Sequence, residues 1–552
     1  MPRYNPSNKL FIEDKNNDYY VDKTQVIEIL NHALESSDNK FCVSRPRRMG
    51  KSFLVNILTA YYSVGCDSRE AFSDLKIAQT PDWDKYLNKF NVICIDLKII
   101  CNRVKKLNKD IAEDNAYENT NKPEIDLSEY LMESINKELI ENYPDLGIEL
   151  SDYVSDSILK IYKKTNKQFV IIIDEYDSVV RDEFDDDAIS GYLNFLLDIF
   201  KNPMIDKAIA FGYLTGILPF PESLDFSGVN NLCSSTVIDG YPFKDFIGFT
   251  EDEVKELCVK HNKEFLLNDI KKWYDSNTVD NKKVYSPLSI CRTLLNNKCG
   301  YYWSVQTSYK AIPRYIDINV KGIKESIEKL YTYQNVPIRV GIYNNRVDSF
   351  NNTNSILEYL IHAGYLTSFR NGHEYFCRIP NFEVRDEWSN AIEESKEFIP
   401  IKKHLDKSKE LLERIIKKDA EFVVDYFRNH VEYERFNIPK SKYMFQDIVL
   451  YELIYSGIIY NITPEVTSEF EDIEFIYDES NNEYPTLLIE LKFNESVEEA
   501  MKQIEEKWSS LIEKQEKGNI LKVGINYESD KKEYTCIIEA NWSYISFLMK
   551  LI

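Results

Sequence analysis

Four short apolar runs, each separated from the next by helical patterns, constrain the fold of the first 240 residues more than any other feature. The runs cover residues 40–44, 91–97, 170–173 and 208–215. Strands that alternate with helices in this way form parallel sheets flanked by helices. The run 170–173 reads Val-Ile-Ile-Ile without polar alternation, which indicates a central strand buried on both faces. The sequence therefore predicts an α/β domain here.

Length and composition limit the class of protein. A chain of 552 residues is too long for one hydrophobic core, and 43% hydrophobic residues are enough to fold throughout. The first residues contain no apolar leader, and no stretch approaches the roughly 18 apolar residues of a membrane span. The ten cysteines are dispersed without a CxxC pair. We expect a cytoplasmic protein with no membrane partner.

Composition shifts along the chain suggest three domains. Residues 1–240 carry the strand pattern, residues 241–400 are mostly helical in pattern, and a charged stretch at 386–403 precedes the last domain, residues 401–552. The polar stretch 108–126 has no apolar period and is expected to be an exposed insertion. The middle segment is expected to form a helical lid followed by a small connecting domain.

A phosphate-binding loop is predicted at residues 44–52, Ser-Arg-Pro-Arg-Arg-Met-Gly-Lys-Ser, between the first apolar run and a helical pattern. In such loops backbone N–H groups hold phosphates, a lysine reaches the β and γ phosphates, and a serine holds Mg²⁺. Lys51 and Ser52 suit those roles. Arg45 stands where the usual pattern has its first glycine, and a Gly-Lys-Ser turn on the surface remains the alternative.

A second element supports the loop, because the strand 170–173 ends in Asp174 and Glu175. An aspartate at the end of a buried strand is where a carboxylate meets Mg²⁺, and Glu175 is suited to polarise the attacking water. The alternative is an acidic turn after a core strand. Thr215, which ends another run, is placed either to sense the γ-phosphate or as an ordinary strand-end threonine.

These segments resemble the AAA-ATPase-like family. The resemblance rests on residues 20–24, 44–52, 173–177 and 215–216, and similar motifs continue through 248–250, 273–275, 285–290, 365–367 and 379–381. The family's own loop reads Arg-Pro-Arg-Arg, which accounts for Arg45. The resemblance implies a P-loop NTPase fold with ATP and Mg²⁺ as cofactors. The residues expected to bind the nucleotide are Arg47, Arg48, Gly50, Lys51, Ser52, Asp174 and Thr215, with Ser52 and Asp174 on the metal and Glu175 catalytic.

Members of this family often carry a C-terminal PD-(D/E)XK nuclease domain, which has an α/β restriction-endonuclease-like fold. The segment 487–493 keeps period two, so Glu490 and Lys492 share one face of a strand. If the preceding hairpin turns near Asn481, Asp472 falls opposite Glu490. Asp472, Glu490, Lys492 and Gln503 resemble the catalytic pattern in order and spacing, with Asp472 and Glu490 as metal ligands. The alternative is a solvated strand face with one Glu–Lys pair.

Departures from the nuclease pattern keep two functions open. Glu469 and Phe470 replace the family's Gly-Arg, and the glutamate of its first helix has no match beyond Asp447 or Glu452. The net charge of −23 disfavours broad contact with DNA, so nucleic acid must bind locally or through metal ions. One hypothesis is an ATPase coupled to a Mg²⁺-dependent nuclease. The other is a nucleotide-switched scaffold whose C-terminal domain binds a protein partner without cleavage.

Overall fold

The structure of the protein is a computed structural model. It describes residues 3–34, 36, 38–118, 121–182, 184–220, 232–274, 278–303, 312, 320–331, 334–341, 350, 352–395, 398–431, 439, 441–453, 461–467, 470–476, 485–514 and 520–541. The chain forms two compact units, Met1–Leu330 with Asn335–Trp388 and Tyr331–Gln334 with Ser389–Ile552. The three-domain division at residues 240 and 400 stays a prediction.

A five-stranded parallel sheet forms the centre of the first unit. Its strands are β1 (Lys40–Ser44), β2 (Asn91–Asp96), β3 (Phe169–Asp174), β4 (Ile209–Gly216) and β5 (Leu232–Ser235), in the order β2-β3-β4-β1-β5. Because all pairs are parallel, their carboxyl ends meet at one edge. All residues of β3 and β4 are buried, which confirms the central strand predicted at 170–173. The α/β class with a parallel sheet is thus confirmed.

The helices follow in chain order. They are α1 (Lys9–Lys15), α2 (Val26–Ala33), α3 (Lys51–Tyr62), α4 (Arg69–Phe72), α5 (Leu97–Glu118), α6 (Leu127–Asn142), α7 (Val154–Thr165), α8 (Ser178–Arg181), α9 (Asp186–Phe200), α10 (Glu251–Lys260), α11 (Leu267–Tyr274), α12 (Pro287–Asn296), α13 (Ile323–Tyr331), α14 (Thr353–Ala363), α15 (Phe382–Glu394), α16 (Ile399–Ile416), α17 (Ala420–Tyr426), α18 (Lys442–Glu452) and α19 (Val497–Lys514). Among the described residues, none of these helices is long and apolar enough to cross a membrane.

Part of the polar stretch 108–126 is helical. The sequence did not predict this helix, because the stretch has no apolar periodicity. Helix α5 continues through it to Glu118, and the buried residues among its described side chains all lie in its first half. The returning chain is tied to the helix by side-chain amides. Asn108 exchanges hydrogen bonds with the backbone of Ile125, and Asn115 does so with Lys122. These bonds replace the apolar packing that a helix normally needs.

The middle of the chain combines helices with two small antiparallel sheets. These contain β6 (Thr278–Val279) with β7 (Lys282–Lys283), and β8 (Val336–Ile338), β9 (Thr367–Asn371) and β10 (Glu374–Arg378) in the order β8-β10-β9. Helix α10 begins with a capping box, in which Thr250 and Glu253 bond each other's backbone N–H. Helix α12 begins at Pro287 after the N-cap Ser286. Both helix starts lie close to the candidate site.

The second unit contains a mixed sheet with helices on both faces. Its strands are β11 (Asn461–Thr467), β12 (Phe470–Ile476), β13 (Thr486–Phe493), β14 (Ile520–Glu528) and β15 (Glu533–Asn541), in sequence order, and only β13 and β14 pair in parallel. Leu487, Ile489 and Leu491 pack with residues of α16, α17 and α18. Leu488 packs instead with Met501 and Ile504 of α19. This alternation confirms the predicted period of β13.

Candidate functional site

Arg45, the residue in place of the usual first glycine, points into the protein. Its guanidinium is fully buried and donates from Nη1 to the carbonyl oxygens of Ser44 (2.8 Å) and Ser235 (2.9 Å), and from Nη2 to Ser235 Oγ (3.1 Å). Burial lowers the pKa of Arg45 to about 10. The side chain therefore fills the space between the ends of β1 and β5, and the loop needs no glycine at this position.

The carbonyl oxygens of the loop are hydrogen-bonded to residues that lie much later in the chain. Trp303 Nε1 donates to Arg47 O (3.1 Å), Ser286 Oγ to Arg48 O (3.3 Å) and Gly248 N to Met49 O (2.8 Å). Carbonyl oxygens carry partial negative charge and would repel phosphate. Their engagement by these donors leaves the loop's opposite, N–H side to face an anion.

Gly50 and Lys51 complete the loop at the start of α3. Gly50 has φ of 87°, in the left-handed region where a side chain would be strained. Lys51 is 5% exposed, and its Nζ donates to the carbonyl oxygens of Arg45 and Pro46, each at 3.1 Å. Burial lowers the pKa of this lysine. Within the described chain, the N–H groups of residues 51–53 have no backbone acceptor, so they are available to phosphate.

Ser52 and Asp174 meet at the carboxyl edge of the sheet. Ser52 Oγ donates to Asp174 Oδ2 at 2.6 Å, although the two residues are 122 positions apart. Burial, the largest influence, raises the pKa of Asp174 to about 6, while the hydrogen bond from Ser52 opposes it. A hydroxyl and a carboxylate in contact beside a buried lysine are the donor set that suits Mg²⁺ bound to a nucleotide. The residues present therefore fit ATP with Mg²⁺.

Glu175 follows Asp174 with φ of 53° and forms an ion pair with Arg181 of α8. Arg181 Nε also lies 2.9 Å from Asp177 Oδ2, and that oxygen accepts the N–H groups of Ile217 and Leu218. Desolvation raises the pKa of Glu175, but the positive charges of Lys51, Arg181 and Arg47 outweigh it, so the pKa lies below its usual value. Glu175 is therefore ionised, and Arg181 holds it in place.

The other predicted nucleotide-binding residues are placed as follows. Arg47 is close enough for its charge to act on Glu175, and Arg48 is exposed with φ of 65°. Thr215 is fully buried, and its Oγ1 donates to Val43 O of β1 at 2.9 Å. That bond favours the alternative of an ordinary strand-end threonine.

Part of the chain is similar to a known protein family. Residues 11–224 match the family model described as Predicted AAA-ATPase. The match covers less than half of the chain and contains the loop, Asp174, Glu175 and Thr215. No match was found among curated proteins. Among solved structures, the Aeropyrum pernix ORC2 protein in ADPNP–ADP complexes is similar at 12% identity and a TM-score of 0.29, over 67% of this chain and 93% of that one. A TM-score this low does not establish a shared fold.

The family match ends before the C-terminal unit, where a second group of candidate residues lies beside α19. Glu490 is 1% exposed, and its Oε1 lies 3.3 Å from Lys492 Nζ and 4.0 Å from Lys442 Nζ. Lys492 donates a hydrogen bond to Gln503 Oε1 of α19. The structure therefore brings together three of the four residues predicted for this site. Their roles in catalysis stay predictions.

Asp472, the fourth residue, lies in β12 directly opposite Glu490 of β13, the register expected for a hairpin that turns near Asn481. The turn itself, and the side chains of Asp472 and Asp447, lie outside the described residues. Glu452, the other candidate for the missing glutamate, is buried, accepts from Tyr426 Oη at 2.7 Å and lies 3.8 Å from His404 Nδ1. Among described side chains, no group of three or more metal-ligating residues occurs.

Sequence reasoning missed three residues that the structure adds to the two sites. Arg181 had a readable signal, because Asp177 and Arg181 are four residues apart, the spacing of ion pairs on helices. No sequence signal indicated Trp303 or Lys442, because each is brought to its site only by the tertiary fold.

Proposed function

We propose that the chain binds ATP with Mg²⁺ at residues 45–52 and hydrolyses it. The observation that carries this proposal is the 2.6 Å contact between Ser52 and Asp174, which lies beside Lys51 and Glu175 at one edge of a parallel sheet. The match of residues 11–224 to an ATPase family supports the same function independently. A surface turn would not place these groups together in a buried position.

The proposed role of each residue follows from its chemistry. The N–H groups at the start of α3 and the ammonium of Lys51 bind the phosphates, and Lys51 exchanges its two loop carbonyls for phosphate oxygens. Ser52 and Asp174 would hold Mg²⁺, which when bound neutralises charge on the β and γ phosphates. Glu175 orients the attacking water and accepts its proton, for which it must be ionised. Its pair with Arg181 must loosen before it can do so.

Lys51→Ala tests this function, with Lys40→Ala as the matched control. Lys40 is the first residue of β1, at the end of the strand away from the loop, and its Nζ lies 3.9 Å from Asp206 Oδ1. We expect Lys51→Ala to lower the rate of ATP hydrolysis by about 10²–10³-fold and to weaken binding, because preorganised positive charge is lost from the phosphates. The control should keep wild-type turnover. Normal hydrolysis by Lys51→Ala would overturn the assignment of the loop.

We further propose that the C-terminal unit is a Mg²⁺-dependent nuclease coupled to this ATPase. Support comes from Asp472 in register with Glu490, and from Lys492 beside Glu490 and bonded to Gln503. Asp472 and Glu490 would hold the metal ion. Lys492, held in place by Gln503, stabilises the attacking hydroxide and the negative charge that develops on the phosphoryl oxygens.

A scaffold without cleavage is the alternative function of that unit. The net charge of −23 and the replacement of Gly-Arg by Glu469 and Phe470 support it, because both remove attraction for nucleic acid. Against this alternative, Lys442 places one positive charge near Glu490, where the missing arginine would have contributed one. Incubation of the full chain with single-stranded DNA, duplex DNA and RNA, with Mg²⁺ or Mn²⁺ and with or without ATP, decides between them. Absence of cleavage under all of these conditions would support the scaffold function.

A further inference from the structure

Glu383 is a buried carboxylate close to the phosphate-binding loop, and neither proposed function uses it. It is 2% exposed and lies in the first turn of α15, where the Asn381 side chain accepts a hydrogen bond from Val384 N at 3.0 Å. With Pro46 and Met49 of the loop it lines a cavity of about 30 Å³, which has room for water but not for a ligand. A buried charge is costly unless hydrogen bonds satisfy it, so the partners of this carboxylate indicate its role.

The two carboxylate oxygens of Glu383 accept hydrogen bonds from two separate segments. Trp303 N donates to Oε1, and Ser289 Oγ donates to Oε2 at 3.1 Å. Ser289 lies in the first turn of α12, whereas Trp303 follows the end of that helix. One side chain of α15 therefore joins the start of α12 to the segment that contains Trp303.

Both of these segments donate hydrogen bonds to carbonyl oxygens of the loop. Trp303 Nε1 donates to Arg47 O at 3.1 Å, and Ser286 Oγ donates to Arg48 O at 3.3 Å. Ser286 Oγ also accepts from Ser289 N at 3.4 Å, so its position depends on the same turn of α12. These two carbonyl oxygens would repel phosphate if they turned toward it. The buried carboxylate thus acts on both donors that keep them in place.

Aromatic packing on the other side of Trp303 restricts its movement. Its ring packs edge-to-face against Tyr365, with centroids 5.4 Å apart and planes at 78°, and Tyr365 O accepts from Trp388 Nε1 of α15 at 2.9 Å. The neighbouring Gly364 has φ of 90°, and a Cβ atom there would lie 2.8 Å from Pro46 Cβ. The residues around Trp303 therefore lie directly against the loop, and α15 holds them at two positions.

We propose that Glu383 is a positioning residue of the ATPase. Its hydrogen bonds with Trp303 and Ser289 hold the donors of two loop carbonyls and so keep the loop in the conformation that binds phosphate. The proposal rests on nucleotide binding at the loop. It predicts that loss of the carboxylate weakens nucleotide binding more than it slows the chemical step, because its partners act on the loop, whereas Glu175 follows the end of β3.

Glu383→Ala in the full chain tests this role, with Glu383→Gln as the matched control. The amide keeps both contacts, because its Oε1 accepts from Trp303 N and its Nε2 donates to Ser289 Oγ. Calorimetry measures Kd for Mg²⁺-ATP, and steady-state hydrolysis measures KM and kcat. We expect Glu383→Ala to raise Kd and KM about tenfold and to change kcat by less than about threefold, since charge-assisted hydrogen bonds are lost. Glu383→Gln should bind ATP within about threefold of wild type.

Trp303→Phe tests the route by which Glu383 acts on the loop. Phenylalanine keeps a ring against Tyr365 but has no N–H group for Arg47 O, so we expect about fivefold weaker ATP binding. Residues in one hydrogen-bonded chain are energetically coupled. The double variant Glu383→Ala with Trp303→Phe should therefore bind about as weakly as Glu383→Ala alone. A loss equal to the product of the two single effects would overturn this route.

The remaining outcomes separate the positioning role from the ATP site itself. Unchanged Kd and KM in Glu383→Ala, even with a lower melting temperature, would show that Glu383 is only structural, and an equal loss in Glu383→Gln would overturn the role of its hydrogen bonds. If Glu383→Ala does not fold, wild-type binding by Trp303→Phe overturns the proposal instead. If the wild-type protein binds no ATP, the proposed function fails and the positioning role fails with it.

Discussion

Each of the two candidate sites contains a buried carboxylate beside a lysine. The residues of the two sites are brought together by different kinds of elements. In the first, Lys51 and Ser52 are adjacent in sequence and meet one partner strand through Asp174. In the second, Asp472, Glu490 and Gln503 come from two strands and a helix, and each pairing depends on register. The phosphate-binding part of the first site, one loop and one helix terminus, is encoded locally, whereas a site formed across strands fails if the register slips by one residue.

The two sites also differ in the neighbouring residues that hold their side chains and backbone in place. At the first site, donors from three later segments hold the loop carbonyls, and Arg181 holds Glu175. At the second, Lys492 and Gln503 support each other, and Lys442 lies 4.0 Å from Glu490. Preorganisation of this kind determines how well a site stabilises a transition state. The comparison therefore predicts that the first site is the better preorganised, so that loss of its catalytic group has the larger effect.

The largest effect is expected for Glu175→Gln at the first site. The amide keeps the shape of the side chain but cannot accept a proton, so ATP hydrolysis should fall by about 10²–10⁴-fold. Nucleotide binding should persist, because Lys51 and the N–H groups of α3 remain. Steady-state hydrolysis and equilibrium binding of ATP measure the two quantities. Unchanged hydrolysis would show that Glu175 is structural, held by Arg181, and that another group positions water.

The next effect concerns the second site, through Glu490→Gln and Lys492→Ala. Each should lower metal-dependent cleavage of nucleic acid by about 10²-fold or more, because Lewis-acid and electrostatic stabilisation are each worth several kcal/mol. ATP hydrolysis by the same variants should equal that of wild type. A parallel loss of both activities would contradict the assignment of two separate sites.

Metal binding at the second site has its own control. Adding Mg²⁺ should raise the melting temperature of Lys51→Ala more than that of the double variant Lys51→Ala with Glu490→Gln, since binding to the native state stabilises it. The Lys51→Ala background limits the contribution of the nucleotide site. Equal shifts in the two proteins, together with no cleavage by wild type, would leave the scaffold function.

The smallest effect is expected for Thr215→Val, which asks whether this threonine belongs to the first site at all. Loss of its bond to Val43 O should lower the free energy of unfolding by about 1 kcal/mol, while ATP hydrolysis stays within about threefold of wild type. Urea unfolding and hydrolysis assays measure the two. A loss of hydrolysis well beyond threefold, with stability unchanged, would instead support contact with the γ-phosphate.

Hydrophobic pattern alone determined several features of this protein. The apolar runs predicted β1 at its observed residues and β3 as a fully buried strand, because a strand covered on both faces needs no polar alternation. Period two predicted which side chains of β13 face the core. It also predicted Asp472 opposite Glu490, once a turn near Asn481 was assumed. Local chemistry likewise predicted the loop at residues 44–52, since glycine, lysine and serine act within one turn of backbone.

Only the tertiary structure decided how the sites are supported. The contacts of Trp303 with the loop and of Lys442 with Glu490 join residues 256 and 48 positions apart, and no periodicity relates such positions. The buried position of Arg45 and the bond from Thr215 to Val43 depend on neighbouring strands that only the sheet order supplies. Periodicity determines which face of an element is buried. It does not determine which distant side chain lies against that face, because that choice is made when the elements pack.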